Sequence, residues 1–134
     1  MRPNPIAHCN SSILKKLLTF TAILEGTTGL GLVIVPGFVV SLLLGTALNE
    51  PAGTFVSRLA GVALMTLAII CWMYRNIAPG VQGIRTGLIF YNTAAGLILI
   101  IAYANGYLGY ALWPALLLHV ALAIWCIKFS RKVN

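Results

Sequence analysis

Five polar side chains stand inside otherwise apolar stretches of this sequence and could do chemistry there. They are Glu25, Arg58, Tyr91, Asn92 and His119. A glutamate and a histidine can exchange protons as acid and base, an arginine can neutralise a carboxylate, and tyrosine and asparagine can complete the hydrogen bonds. Because an ionisable residue inside a membrane segment is costly and usually faces protein or a cavity, the set predicts an intramembrane polar layer that binds a ligand or holds the helices together.

The elements that must position these residues are long and apolar. Of the 134 residues, 60% are hydrophobic and 8% are charged, whereas soluble domains have about 25% charged residues. Apolar runs of about 20 residues are long enough to cross a bilayer as helices. We therefore predict one all-α integral membrane domain, residues 1–134, folded as a four-transmembrane-helix antiparallel bundle with spans at about 14–35, 55–74, 84–103 and 112–129.

The segment that follows the first span is too short to cross the membrane. Pro36 and Gly37 should end or bend the first helix, since proline lacks the N–H that a helix interior needs. The run from Phe38 to Leu44 is then an interfacial or re-entrant segment. The residues before Ser11 are predicted to form an irregular tail, with Ser11 or Ser12 capping the first helix.

The basic residues predict the orientation of the chain, because cytoplasmic loops near span ends collect Lys and Arg. Eight of the nine basic residues fall at one set of helix ends: Arg2, Lys15, Lys16, Arg75, Arg85, Lys128, Arg131 and Lys132. The opposite loops carry only Glu50. Tyrosine and tryptophan residues cluster at both sets of ends, as expected at membrane interfaces. Both termini are therefore predicted to be cytoplasmic.

The depth of the five polar residues predicts which of them meet. Counted from the outer helix ends, Arg58, His119, Glu25 and Asn92 lie about 6 to 11 residues deep, a layer roughly 8 Å thick. Glu25 should therefore approach Arg58 or His119, which are the opposite-charge partners at that depth. Tyr91 and Asn92 are predicted to form hydrogen bonds between helices.

Several other kinds of site are not indicated by the sequence. The three cysteines, Cys9, Cys71 and Cys126, have no CxxC spacing, so they are predicted to be free thiols and no metal site is expected. A lone intramembrane histidine cannot supply both axial ligands of a b-type haem, and no nucleotide or nucleophile motif is present. We expect no cofactor. The basic residues lie at span ends and form no patch interleaved with aromatics, so nucleic acid is not an expected partner.

The order of the motifs resembles that of a group of small bacterial four-span membrane proteins known mainly as uncharacterised. The residues that carry the likeness include Glu25-x3-Gly29 before Pro36, Arg58-x2-Gly61, Cys71-Trp72, Tyr91-Asn92 and Trp113-Pro114-Ala115 with His119. The resemblance implies a multi-pass protein of the bacterial inner membrane, and brings no activity with it. DoxX-like proteins are similar in their four-span architecture alone, and small multidrug resistance transporters are similar in having four spans and a glutamate within the first.

Three functions are compatible with the polar layer. The first is a non-catalytic accessory subunit, or a binder of a lipophilic molecule such as a quinone or an isoprenoid lipid. The second is an intramembrane acid/base enzyme, for example an isomerase that uses Glu25 and His119. The third is a small proton-coupled exporter that acts as an oligomer. Partners expected from the sequence are the lipid bilayer, further copies of the chain, or a larger membrane complex.

Overall fold

The computed structural model describes residues 5–76 and 81–130, with side chains from residue 12 to 76 and from 82 to 128. Within these residues the chain forms five α-helices and no strand. The helices are α1 (Pro5–Ile34), α2 (Pro36–Leu44), α3 (Pro51–Tyr74), α4 (Val81–Ala104) and α5 (Leu112–Ser130). The predicted all-helical fold is confirmed for these residues.

Prolines and a glycine set the helix boundaries in the first half of the chain. Pro36 and Pro51 stand at the first positions of α2 and α3, where the missing N–H costs nothing. Gly45 closes α2 at φ +73, a left-handed conformation that favours glycine, and its N–H bonds the carbonyl of Ser41 at 2.8 Å. The predicted break at Pro36 is confirmed, and the segment predicted to be interfacial or re-entrant is a short helix. The prediction of an irregular tail is wrong for residues 5–10, because α1 already begins at Pro5.

Three helical stretches are long and apolar enough to cross a membrane: Ser12–Ile34, Pro51–Tyr74 and Gln82–Ala104. The apolar stretch of α5, Leu112–Lys128, is shorter. Many large apolar side chains on these helices point outward, for example Phe90 and Leu59. An apolar exterior of this extent is expected of a protein whose surface is covered by lipid, so the coarse prediction of a membrane protein agrees with the structure.

Glycines bring α1 and α3 into close contact. A Cβ added to Gly29 would lie 2.7 Å from the carbonyl oxygen of Gly61, and one added to Gly61 would lie 2.7 Å from the carbonyl oxygen of Gly29. Further along α1, Gly26 faces Ala68 at an ordinary 3.5 Å. Since residue numbers rise along α1 as they fall along α3, the two helices run in opposite directions. Small residues permit this approach, in which backbones rather than side chains pack.

Helices α4 and α5 form a second pair, also with opposite directions. Gly96 of α4 faces Leu116 and Val120 of α5, and further along, the rings of Tyr103 and Trp113 meet edge to face with centroids 5.0 Å apart. The two pairs approach each other less closely than the helices within each pair do.

The two pairs are joined at both ends of the molecule. At one end a buried cluster links them: Leu17, Leu18, Ala22, Cys71, Leu88, Leu122 and Cys126. We call this the basic end, because Lys15, Lys16, Arg75, Arg85 and Lys128 lie there. At the opposite end, the α2 end, the amide of Ala111 donates to the carbonyl of Leu42 at 2.9 Å, and Gly109 lies directly against Leu43.

Candidate functional site: a buried polar cluster between the helix pairs

Glu25 is held by a hydrogen bond from the other helix pair. Its side chain is 2% exposed, and the hydroxyl of Tyr91 on α4 donates to its Oε2 at 2.8 Å. Thr21 and Leu17 on the same face of α1 are also buried, as i, i+4 spacing predicts for a face turned toward another helix. The acid therefore points into the protein and not toward lipid.

Asn92 connects α4 to His119 of α5. The Asn92 Nδ2 donates to the carbonyl of Leu88 one turn earlier at 2.8 Å, which places its Oδ1 toward Nδ1 of His119 at 2.9 Å. An amide oxygen can only accept, so we assign the proton of this bond to Nδ1. In the neutral imidazole Nε2 then carries the lone pair. The predicted interhelical hydrogen bonding of Tyr91 and Asn92 is confirmed.

Tyr91 also links the two hydrogen-bonded pairs to each other. Its ring meets that of His119 edge to face, with centroids 5.6 Å apart and an interplanar angle of 79°. Glu25, Tyr91, Asn92 and His119 thus form one connected group across α1, α4 and α5, which we call the polar cluster. Four of the five residues singled out in the sequence lie in it.

One fully buried atom of the polar cluster has no hydrogen-bond partner among the described residues. It is Oε1 of Glu25, which is fully enclosed. A buried carboxyl oxygen without a partner loses its hydration and gains nothing in return. Such an oxygen marks a place where a proton, a water molecule or a polar group of a ligand would complete the hydrogen bonding.

Arg58 lies apart from the polar cluster, so the predicted Glu25–Arg58 ion pair is wrong. The guanidinium is on an exposed residue of α3, and the carboxyl of Glu25 makes no contact with it. The contact between Gly26 and Ala68 shows why. It puts Glu25 beside residue 68 or 69, about ten residues or 15 Å along α3 from Arg58, which is further than an arginine side chain reaches. His119, the other partner considered, joins the acid indirectly through Tyr91.

The surfaces of α1 and α4 that face each other become less buried beyond the polar cluster. Toward the basic end, Thr21 and Leu88 are fully buried. Toward the α2 end, Thr28, on the same face of α1 as Glu25, is exposed, and Ala95, one turn after Tyr91, is only half-buried. We call this stretch the cleft. Glu25 and Tyr91 lie at its closed end, and α2 contacts the second helix pair at the other.

Two buried polar residues were not singled out from the sequence. Thr21 precedes Glu25 by one helical turn and is 1% exposed, and Arg85 near the start of α4 is 8% exposed. The spacing of Thr21 from Glu25 could have indicated a shared face. Arg85 was used only to predict orientation, because a basic residue at a span end gives no sign of its burial.

The cysteines and histidines do not come together as ligands in the part of the chain that the structure describes. Cys71 and Cys126 are free and buried in the apolar cluster at the basic end. No group of three His, Cys, Asp or Glu side chains within the described ranges has the geometry to hold a metal ion. The side chains of His8 and Cys9 lie outside those ranges.

Comparison of the chain with protein-family models, with curated proteins and with solved structures found no match. The resemblance to small four-span bacterial proteins stays a prediction from the motifs. The function has to be argued from the polar cluster and its surroundings.

Proposed function

We propose that this chain is a four-span protein of the bacterial inner membrane, with both termini in the cytoplasm, that binds a lipophilic molecule through the polar cluster. The molecule would enter the cleft from the bilayer and place a polar group at Glu25. Quinones and isoprenoid alcohols are the ligand classes that fit, because they combine an apolar body with one or two oxygen atoms.

A single observation carries the proposal: the enclosed Oε1 of Glu25 has no hydrogen-bond partner in the described part of the chain. A carboxyl that only tied the helices together would be expected to have both oxygens bonded, since buried polar groups are rarely left unpaired. Here one oxygen is fixed by Tyr91 and the other remains for a further group. A ligand hydroxyl could donate to it, and a ligand carbonyl could accept from it if the acid is protonated.

The arrangement of the cleft supports the same function. The residues that follow Glu25 and Tyr91 toward the α2 end are small or exposed, Thr28 and Ala95 among them. An apolar chain lying there would contact the helices, and its polar group would reach the enclosed Oε1 of Glu25 when the side chains around this oxygen move apart. This combination of apolar walls with a few fixed polar groups is typical of small-molecule sites.

The test measures binding of decylubiquinone and of farnesol to the purified full chain in phosphatidylcholine nanodiscs, by quenching of tryptophan fluorescence and by competition. One of the two should bind, and Glu25→Gln should weaken its binding by about tenfold, since a hydrogen bond to a charged group contributes about 1.5–3 kcal/mol. Glu50→Gln is the matched control, because Glu50 is the only other acid and is exposed. If neither probe binds, or if both variants behave alike, the proposal fails.

A second candidate is an acid/base enzyme, and the geometry of His119 favours it. Asn92 fixes Nδ1, so Nε2 is left with a lone pair that could accept a proton from a bound molecule. Glu25 would supply the second exchangeable proton. Deuterium exchange into bound farnesol or quinone would separate the two functions. In D2O a pure binder leaves the carbon-bound hydrogens of the ligand unlabelled, whereas an isomerase incorporates deuterium at carbon, and His119→Gln would stop this incorporation.

A further inference from the structure

Arg85 is a buried cation with no acidic side chain beside it in the described part of the chain. Its residue is 8% exposed in the second turn of α4. The chain has only two acids. Glu25 accepts from Tyr91 and has no partner on its other oxygen, and Glu50 precedes α3 at the α2 end of the molecule. Neither acid therefore compensates the guanidinium, and a buried charge left alone is strongly destabilising.

The other cations of the basic end lie at nearly the same depth. The Tyr91–Glu25 bond puts Arg85 beside residue 19 of α1, and the Gly26–Ala68 contact puts Arg75 at the same level. The His119–Asn92 contact puts Arg85 beside residue 126 of α5, just before Lys128. With Lys15 and Lys16 about one turn further out, five cations fall within roughly 6 Å of depth.

Orientation in a membrane does not require this arrangement. Exposed lysines at helix ends are enough to orient a chain, and Lys15, Lys16 and Lys128 are all exposed. The burial of Arg85 is a separate feature, because most of this residue is covered by the helices at the level where lipid phosphates lie. Arginine binds a phosphate with two parallel hydrogen bonds, and the nearby lysines add electrostatic attraction.

We propose that the basic end binds the headgroup of an anionic phospholipid, with its phosphate at Arg85 and Lys128. The acyl chains lie in the bilayer against exposed apolar side chains of the helices, such as Ile124 of α5. This site is separate from the polar cluster, and does not depend on the function proposed for Glu25. The bound phosphate supplies negative charge, which the described residues of this end do not provide.

The test is native mass spectrometry of the full chain released from nanodiscs of phosphatidylcholine mixed with phosphatidylglycerol. We expect retained phosphatidylglycerol to be enriched over its share of the bilayer. Arg85→Gln should reduce this enrichment about fivefold to tenfold. Arg58→Gln removes the same charge from an exposed residue at the α2 end, and should leave the enrichment within twofold of the original. Equal losses in the two variants would show general charge attraction and overturn the site.

A second variant and a second measurement complete the test. If Arg85→Gln does not fold, Lys128→Gln on the exposed surface must still lower the enrichment, and an unchanged value contradicts the proposal. Phosphatidylglycerol in the nanodisc should raise the thermal midpoint of the chain above its value in phosphatidylcholine alone, whereas inorganic phosphate at the same concentration should not. An equal rise with inorganic phosphate would show that the site binds a soluble anion and would refute a lipid headgroup.

Discussion

At the scale of single residues, the polar cluster depends on the hydroxyl of Tyr91. It is the hydrogen-bond donor to Glu25 in the described part of the chain, and it reaches from one helix pair to the other. Its ring also meets His119. Replacing only the hydroxyl therefore separates the hydrogen bond from the aromatic contact.

Tyr91→Phe should lower the free energy of unfolding by about 1–3 kcal/mol, because it leaves both oxygens of a buried carboxyl without a donor. The measurement is an equilibrium unfolding titration in mixed detergent micelles. Tyr103→Phe, on an exposed tyrosine of the same helix, is the control and should change little. In the double variant with Glu25→Gln the two losses should be less than additive, since both changes remove one bond. Fully additive losses would mean that the bond does not stabilise the protein.

The sequence indicated the members of the polar cluster better than their pairing. Glu25, Tyr91, Asn92 and His119 stand out because each interrupts an apolar stretch, and tertiary structure brings them together. Pairing Glu25 with Arg58 failed because depth was counted from assumed helix ends. Helix α3 begins at Pro51 and is offset along α1, and an offset of this kind is set by glycine packing that no periodicity within one helix reveals.

At the scale of elements, the contact of α1 with α3 fixes the level at which Glu25 meets the second helix pair. The two helices touch through Gly29 and Gly61, where the backbones are closest. Any side chain inserted there must push α1 away from α3. Glu25 lies one turn from Gly29, so the same shift would move the carboxyl relative to Tyr91.

Gly29→Ala should destabilise the protein by about 1–3 kcal/mol, the usual cost of overpacking a well-packed contact. The new Cβ would lie 2.7 Å from a carbonyl oxygen, which cannot move without its helix. Gly26→Ala is a close control on the same helix, since its Cβ would meet Ala68 at 3.5 Å, an ordinary contact. Thermal midpoints in detergent decide between them. If Gly26→Ala were the more damaging variant, the helix register described above would be incorrect.

The positions of the helices were largely predictable from the sequence, and the same reasoning explains why the start of α1 was predicted incorrectly. Apolar length located four long helices and the short one, and Pro36 located the break between α1 and α2. The start of α1 was placed too late because the residues around Asn10 and Ser11 have weak helix propensity. In the structure they continue the helix, and propensity is often overridden by the neighbouring chain.

At the scale of the whole molecule, the two helix pairs present five of their six described cations at one end, whereas Arg58 and the exposed acid lie toward the other. Lys15 and Arg75 belong to the basic end, and Glu50 to the α2 end. The glycine at residue 106, with φ +86, turns the chain between α4 and α5 at the α2 end as well. This arrangement fits a chain in which each of the four long helices crosses the bilayer once.

Single cysteines introduced at exposed positions test that arrangement in intact cells. An impermeant maleimide added outside should label Glu50→Cys and Leu108→Cys, which lie at the α2 end, and should not label Lys15→Cys or Asn76→Cys until the cells are opened. The variants are made together with Cys9→Ser, because the side chain of Cys9 lies outside the described residues, and the native Cys71 and Cys126 are buried and should stay unlabelled throughout. The positive-inside rule gives the direction, since the basic end should face the cytoplasm. Labelling of Leu108→Cys and Asn76→Cys from the same side would mean that α4 does not cross, and the cleft between α1 and α4 could not then open within the bilayer.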